Sequence, residues 1–151
     1  MESQGPKKTT LLIVEDEILP AMSLRDELQD AGYVVMDLTQ RHGEAIGAAR
    51  VLKPDLALVN IKLQGHDAGI ELARELKEMG VPVVFISGQV SRARSAATVA
   101  IGSFPKPYSA TQMPAAVSYL LARLAGETSQ KCPVGLEVFD IELEASIASR
   151  A

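Results

Sequence analysis

The chain has 151 residues, 47% of them apolar, and a formal net charge of −4, which supports one compact core with extensions rather than two cores. Its acids and bases are mixed rather than blocked, which excludes an extended nucleic-acid surface or a polybasic membrane patch. The single Cys132, with only His42 and His66 beside it, forms neither an intrachain disulfide nor a zinc cluster.

From the N-terminus, "MESQGPKK" is a polar, flexible extension without the apolar core of a signal peptide, and the longest apolar runs are too short to span a bilayer, so the reading is cytoplasmic. "TTLLIV" (residues 9 to 14) is a short apolar run ending in "EDE", as expected of a parallel strand buried on both faces with its acidic end at the rim of a sheet. "PAMSLRDELQDAG" follows as a helix, with Met22, Leu24 and Leu28 near one face and Gly32 as its stop. "YVVMDL" is a second strand and "GEAIGAARVL" a second helix. "PDLALVN" is a third strand, opened by Pro54. "DAGIELARELKEMG" repeats the helix pattern with Ile70, Leu72, Ala73 and Leu76 facing inward and Gly80 at its end. "VPVVFIS" is the most strand-like run; after it come a short helix at "RARSAATVA", a fifth strand at "IGSF", and a final helix over roughly residues 110 to 125.

Five alternating strand and helix pairs with short links predict a parallel sheet covered by helices on both faces. Ligands in such sheets gather at the carboxyl ends of the strands. Those ends hold Glu15 and Asp16, Asn60, Ser87 with Gly88, and Lys106. Acids that offer hard oxygens to Mg²⁺, with a hydroxyl and an ammonium for phosphoryl oxygens, make a site suited to a metal and a phosphoryl group.

The ordered motifs "IVEDE", "PDLALVN", "VVFISG" and "PKPY" together resemble the receiver domain of bacterial response regulators, the CheY-like family, over about residues 9 to 125. The resemblance implies a flavodoxin-like, doubly wound five-stranded parallel sheet with five helices in three αβα layers. It places the metal site on Glu15, Asp16, position 60 and the backbone carbonyl of Lys62, the hydroxyl switch on Ser87 beside Gly88, and the phosphate-pairing lysine on Lys106. The family's phosphoacceptor aspartate falls on Asn60. An amide is a poor nucleophile and forms no acyl phosphate, although its carbonyl oxygen can still ligate a metal. With one charge fewer, Mg²⁺ is expected to bind weakly, and the Lys62 ammonium is placed by alternation where it could lean into the rim. Ser103 stands where many receivers carry a switching aromatic, and alternation points Phe104 to the other face.

Three readings of Asn60 stand side by side: a natural loss of phosphoacceptance, a replaced acceptor, or a core amide with only a hydrogen-bonding task. For Glu15 and Asp16 the bland alternative is a polar cap on the first helix, outweighed by Ser87 and Lys106 in register. His42 and His66 read as solvated loop residues and Cys132 as an incidental linker thiol. Residues 126 to 151 break the rhythm: a linker, then an amphipathic tail with Leu136, Phe139, Leu143 and Ile147 at helical spacing, although Val138 and Ile141 also permit a short strand.

The function implied is a single-domain response regulator of a two-component phosphorelay, not an enzyme, deficient in phosphorylation. Its partners would be a sensor histidine kinase or phosphotransfer protein and a downstream protein, with no membrane partner and a possible homodimer through the face formed by the fourth helix, fifth strand and fifth helix, or through the tail. No DNA is expected, since only about 25 residues follow the last helix, too few for a DNA-reading module. The alternatives are a natively unphosphorylated pseudo-receiver scaffold and a small α/β nucleotide-binding enzyme. The last lacks a phosphate-binding glycine loop after the first strand.

Overall fold

Three strands, β1 (Thr10–Val14), β3 (Leu56–Val59) and β4 (Val83–Ser87), are buried along their whole length, as their unbroken apolar runs require. In the computed structural model, which describes residues 8–139, they form the centre of a sheet flanked by β2 (Val34–Val35), β5 (Gly102–Pro105) and β6 (Glu137–Val138). The strand order is β2-β1-β3-β4-β5-β6. Every pairing is parallel except the last, where β6 runs antiparallel to β5. Between the strands run α1 (Ile18–Asp30), α2 (His42–Val51), α3 (Ala68–Glu78), α4 (Val90–Ser95) and α5 (Met113–Leu124).

Period-two alternation sorts the strand residues into two cores. Leu12, Val14, Val59 and Phe85 meet α2, α3 and α4 through Ala45, Leu72, Leu76 and Ala93. Leu11, Ile13, Leu58 and Ile86 meet α1 and α5 through Leu24, Leu28, Val117 and Leu120. Helices therefore cover both faces, the doubly wound arrangement that leaves the carboxyl ends of the strands free. α1 and α3 are stopped by Gly32 (φ 101°) and Gly80 (φ 84°), a left-handed turn open to glycine at little cost.

Several expectations change at the level of single elements. Met22 is 38% exposed, and Ala21 takes the inward position beside Leu24 and Leu28. The second strand shrinks to two residues, and the last helix begins at Met113 after a 3-10 turn at Ala110–Gln112. A sixth strand joins the five expected. It forms where helical spacing of Leu136 and Phe139 competed with a short strand; both side chains are buried, but across an extended segment. Ile141, Leu143 and Ile147 of the tail, and residues 1–7 of the N-terminal extension, lie outside the described residues.

Candidate functional site

The rim at the carboxyl ends of the strands is organised around one carboxylate. Glu15, the first residue after β1, is 1% exposed. Its Oε1 accepts a hydrogen bond from Lys106 Nζ at 2.6 Å, and its Oε2 accepts from Asn60 Nδ2 at 3.0 Å and from the Glu17 backbone N–H at 3.2 Å. Charge-assisted bonds of this kind offset the desolvation that a buried carboxylate suffers. The Asn60 backbone N–H donates to the Val14 carbonyl at 2.9 Å, so the ends of β1 and β3 are clamped together just where their side chains meet.

The other rim residues are held by equally local bonds. Asp16 is half-buried, and its Oδ2 accepts from the Gln64 backbone N–H at 3.1 Å, tying the loop after β1 to the loop after β3. Ser87 is buried; its Oγ accepts from the Gln89 N–H at 2.9 Å, a bond that does not use the hydroxyl proton. Its carbonyl accepts from the Lys106 N–H at 2.9 Å, joining the ends of β4 and β5. Gly88 is exposed beside Lys106, and a Cβ placed on it would lie 4.0 Å from the Lys106 Cβ. The structure thus brings Glu15, Asn60 and Lys106 into direct contact, with Asp16, Ser87 and Gly88 on the same rim.

Lys62 does not join them. β3 ends at Val59, so alternation cannot be extended to Lys62, whose side chain is exposed between buried Ile61 and Leu63. The ammonium that meets the acidic centre comes from Lys106 instead. α3 starts flush against the end of β3: the Gly69 N–H donates to the Ile61 carbonyl at 2.8 Å, and a Cβ on Gly69 would fall 2.1 Å from the Asn60 carbonyl oxygen.

Ser103 is 2% exposed, and its hydroxyl has no hydrogen-bond partner among the described residues. Phe104 faces the α1 and α5 side as alternation predicts, in tilted contact with Tyr108 at 5.6 Å between ring centroids. Burial, and then the negative charge of Glu15, push the Tyr108 phenol up to about 12. Tyr108 also lines a groove of about 550 Å³ with Glu17, Pro20, Ser23, Lys106 and Pro107, beside the rim.

Polar side-chain contacts between distant residues, two of them made by α2 and α4, escaped the sequence reading. His42 opens α2, where a solvated loop was expected, and its Nε2 lies 2.6 Å from Glu75 Oε2 on α3. Arg92 on α4 reaches Asp67 at 2.6 Å. Both join residues far apart in the chain, a pairing no local pattern encodes. Among the described residues no three His, Cys, Asp or Glu side chains are grouped to hold a metal, and no helix is long and apolar enough to cross a membrane.

The family model described as "Response regulator receiver domain" matches residues 11–118, a span that includes every rim residue named above. The chain is 31% identical over 119 residues to the transcriptional regulatory protein PdtaR of Mycobacterium tuberculosis, covering 75% of this chain and 57% of that protein. It is 35% identical over 86 residues to the phyllosphere-induced regulator PhyR of Methylorubrum extorquens, covering 56% of this chain and 32% of that protein. It therefore spans little more than half the length of the first relative and a third of the second. A solved signal receiver domain of a modulated diguanylate cyclase from Desulfovibrio desulfuricans superimposes with a TM-score of 0.69 at 32% identity, over 78% of this chain and 96% of that one.

Proposed function

Because the chain belongs to the response regulator receiver domain family, we propose that it is a receiver acting by protein contacts in a two-component phosphorelay and that Asn60 leaves it unable to accept a phosphoryl group. The observation that carries this reading is the hydrogen bond from Asn60 Nδ2 to Glu15 Oε2 at 3.0 Å. A carboxylate at position 60 would face Glu15 as a like charge at that distance, a repulsion that a divalent cation relieves. The amide instead donates to Glu15, and Lys106 supplies the countercharge. Glu15 is compensated from within, at a site that has no nucleophile.

The remaining oxygens fit a divalent cation only in part. Asp16, the Asn60 side-chain carbonyl and the backbone carbonyl of Lys62 would hold Mg²⁺, while both oxygens of Glu15 are already engaged. The ion, when bound, would neutralise phosphoryl oxygens. Ser87 would donate its hydroxyl proton to such an oxygen, Lys106 would give an ammonium, and Gly88 would leave room beside it. In this role the chain works in the cytoplasm between a sensor histidine kinase or phosphotransfer protein and a downstream protein, as a signalling module and not an enzyme. The self-satisfied hydrogen bonds of Glu15 also favour a second reading, a pseudo-receiver whose conformation is set by its partner alone.

Incubation with acetyl phosphate and Mg²⁺, read by intact mass, tests the proposal. The Asn60 protein should gain no phosphoryl group and Asn60→Asp should gain one, with tighter Mg²⁺ binding in calorimetry. A phosphoryl adduct on the Asn60 protein that disappears in Asn60→Ala refutes the proposal. An Asn60→Asp variant that is folded yet inert towards a competent donor selects the pseudo-receiver.

A further inference from the structure

β5 lies next to the edge of the sheet, and its outer side is filled by the chain's own residues 136–139. The Phe139 N–H donates to the Ile101 carbonyl at 2.9 Å, and Gly102 and Ser103 pair with Val138 and Glu137. The four side chains divide by alternation. Leu136 and Val138 join the core on the α5 side with Phe104 and Leu120, while Phe139 joins the core on the α4 side with Ala93 and Val99. Glu137, also turned towards α4, receives Arg94 Nε at 3.0 and 2.9 Å on its two carboxylate oxygens. A Cβ on Gly102 would lie 2.7 Å from the Glu137 carbonyl oxygen, so the close approach of the sixth strand depends on that glycine.

We infer that the outer edge of β5 is an acceptor for an extended peptide of a partner protein, with residues 136–139 as its built-in occupant. The partner chemistry is read from the occupant: an antiparallel strand with apolar, acidic, apolar and apolar residues in succession, the acid opposite Arg94. Main-chain bonds supply affinity in strand addition, and alternate side-chain pockets with the Arg94 charge supply selectivity. The occupant is held by a two-residue ladder, and the segment from Gly126 to Gly135 that tethers it has no helix or strand. Such a short tether competes in cis at high effective concentration, so the edge is open to a partner only when the occupant leaves. This inference does not depend on phosphorylation or on the role of Asn60.

The test uses the full chain and a fluorescent peptide with the sequence of residues 134–140, followed by polarisation. In the double variant Leu136→Asp/Phe139→Asp, the peptide should bind at least about tenfold tighter than to the unaltered chain, because the competitor in cis is gone. Adding Arg94→Glu should weaken that binding, and a peptide carrying Glu137→Lys should restore it. Adding Gly102→Ala should abolish it. Should the double variant fail to fold by circular dichroism, Glu137→Lys, which breaks only a half-exposed ion pair, serves as the opened form. Peptide affinity equal in opened and unaltered chains, or indifferent to Gly102→Ala, overturns the inference. So does an opened chain that doubles in mass without taking up peptide, which would make the edge a contact between copies.

Discussion

At the scale of single residues, Glu15 decides the character of the rim, because a carboxylate that is 1% exposed must find its compensation within the protein. Lys106 gives the only ammonium bonded to it among the described residues, and its own side chain is 25% exposed. Replacing Lys106 with methionine keeps the bulk and strands the charge. Breaking a buried pair from one side costs about 3–5 kcal/mol, and the partial exposure of Lys106 places this case near the lower figure. Urea unfolding of Lys106→Met should therefore show a loss of about 3 kcal/mol, most of it recovered in Lys106→Met/Glu15→Gln because no charge is then left unpaired. A single variant as stable as the parent would mean that Asn60 and the Glu17 N–H suffice.

At the scale of elements, the seam between β3 and α3 is the tightest contact near the site. Gly69 touches the backbone of Asn60 and Ile61, so Gly69→Ala forces a methyl group to within 2.1 Å of a carbonyl oxygen unless α3 shifts. The expected cost is about 3 kcal/mol, at the upper end of ordinary overpacking. Gly47→Ala on α2 is the contrast, since nothing lies within 4 Å of that position; a gain of about 0.5–1 kcal/mol is expected there from helix propensity alone. If denaturation curves rank the two substitutions alike, the seam is not rigid. This scale also marks where the sequence is readable. "LALVN" and "VPVVFIS" announce buried strands because their apolar runs carry their own meaning; Glu15 and Ser87 are legible because each directly follows or ends such a run, and Asp16 and Lys106 because they stand beside Glu15 and just past the fifth strand. The bond from Asn60 to Glu15 is not legible, since it depends on the side-chain orientation at two strand ends 45 residues apart. β6 was only half legible, as the short strand that Val138 permitted beside the helical spacing of Leu136 and Phe139: two residues have no periodicity of their own, and the open flank of β5 decides for the strand.

At the scale of the whole molecule, pairing and cover fall away across the sheet from its centre to its flanks. β1, β3 and β4 are covered on both faces and paired on both sides, whereas β2 and β6 are two-residue strands paired on one side. Amide exchange should reproduce that order: Leu12, Leu58 and Val84 should exchange only with global unfolding, and Met36 and Phe139 should exchange through local opening. Equal protection of Phe139 and Leu58 would show that the sixth strand unfolds with the core and never separately. Cys132 gives a means of watching that opening directly. It is the only cysteine in the chain, exposed on the tether between α5 and β6, with its Sγ 3.7 Å from the Pro133 and Leu136 carbonyls. A maleimide dye would attach there and nowhere else without any engineering, so the unaltered protein comes with its own reporter on the strap that covers β5.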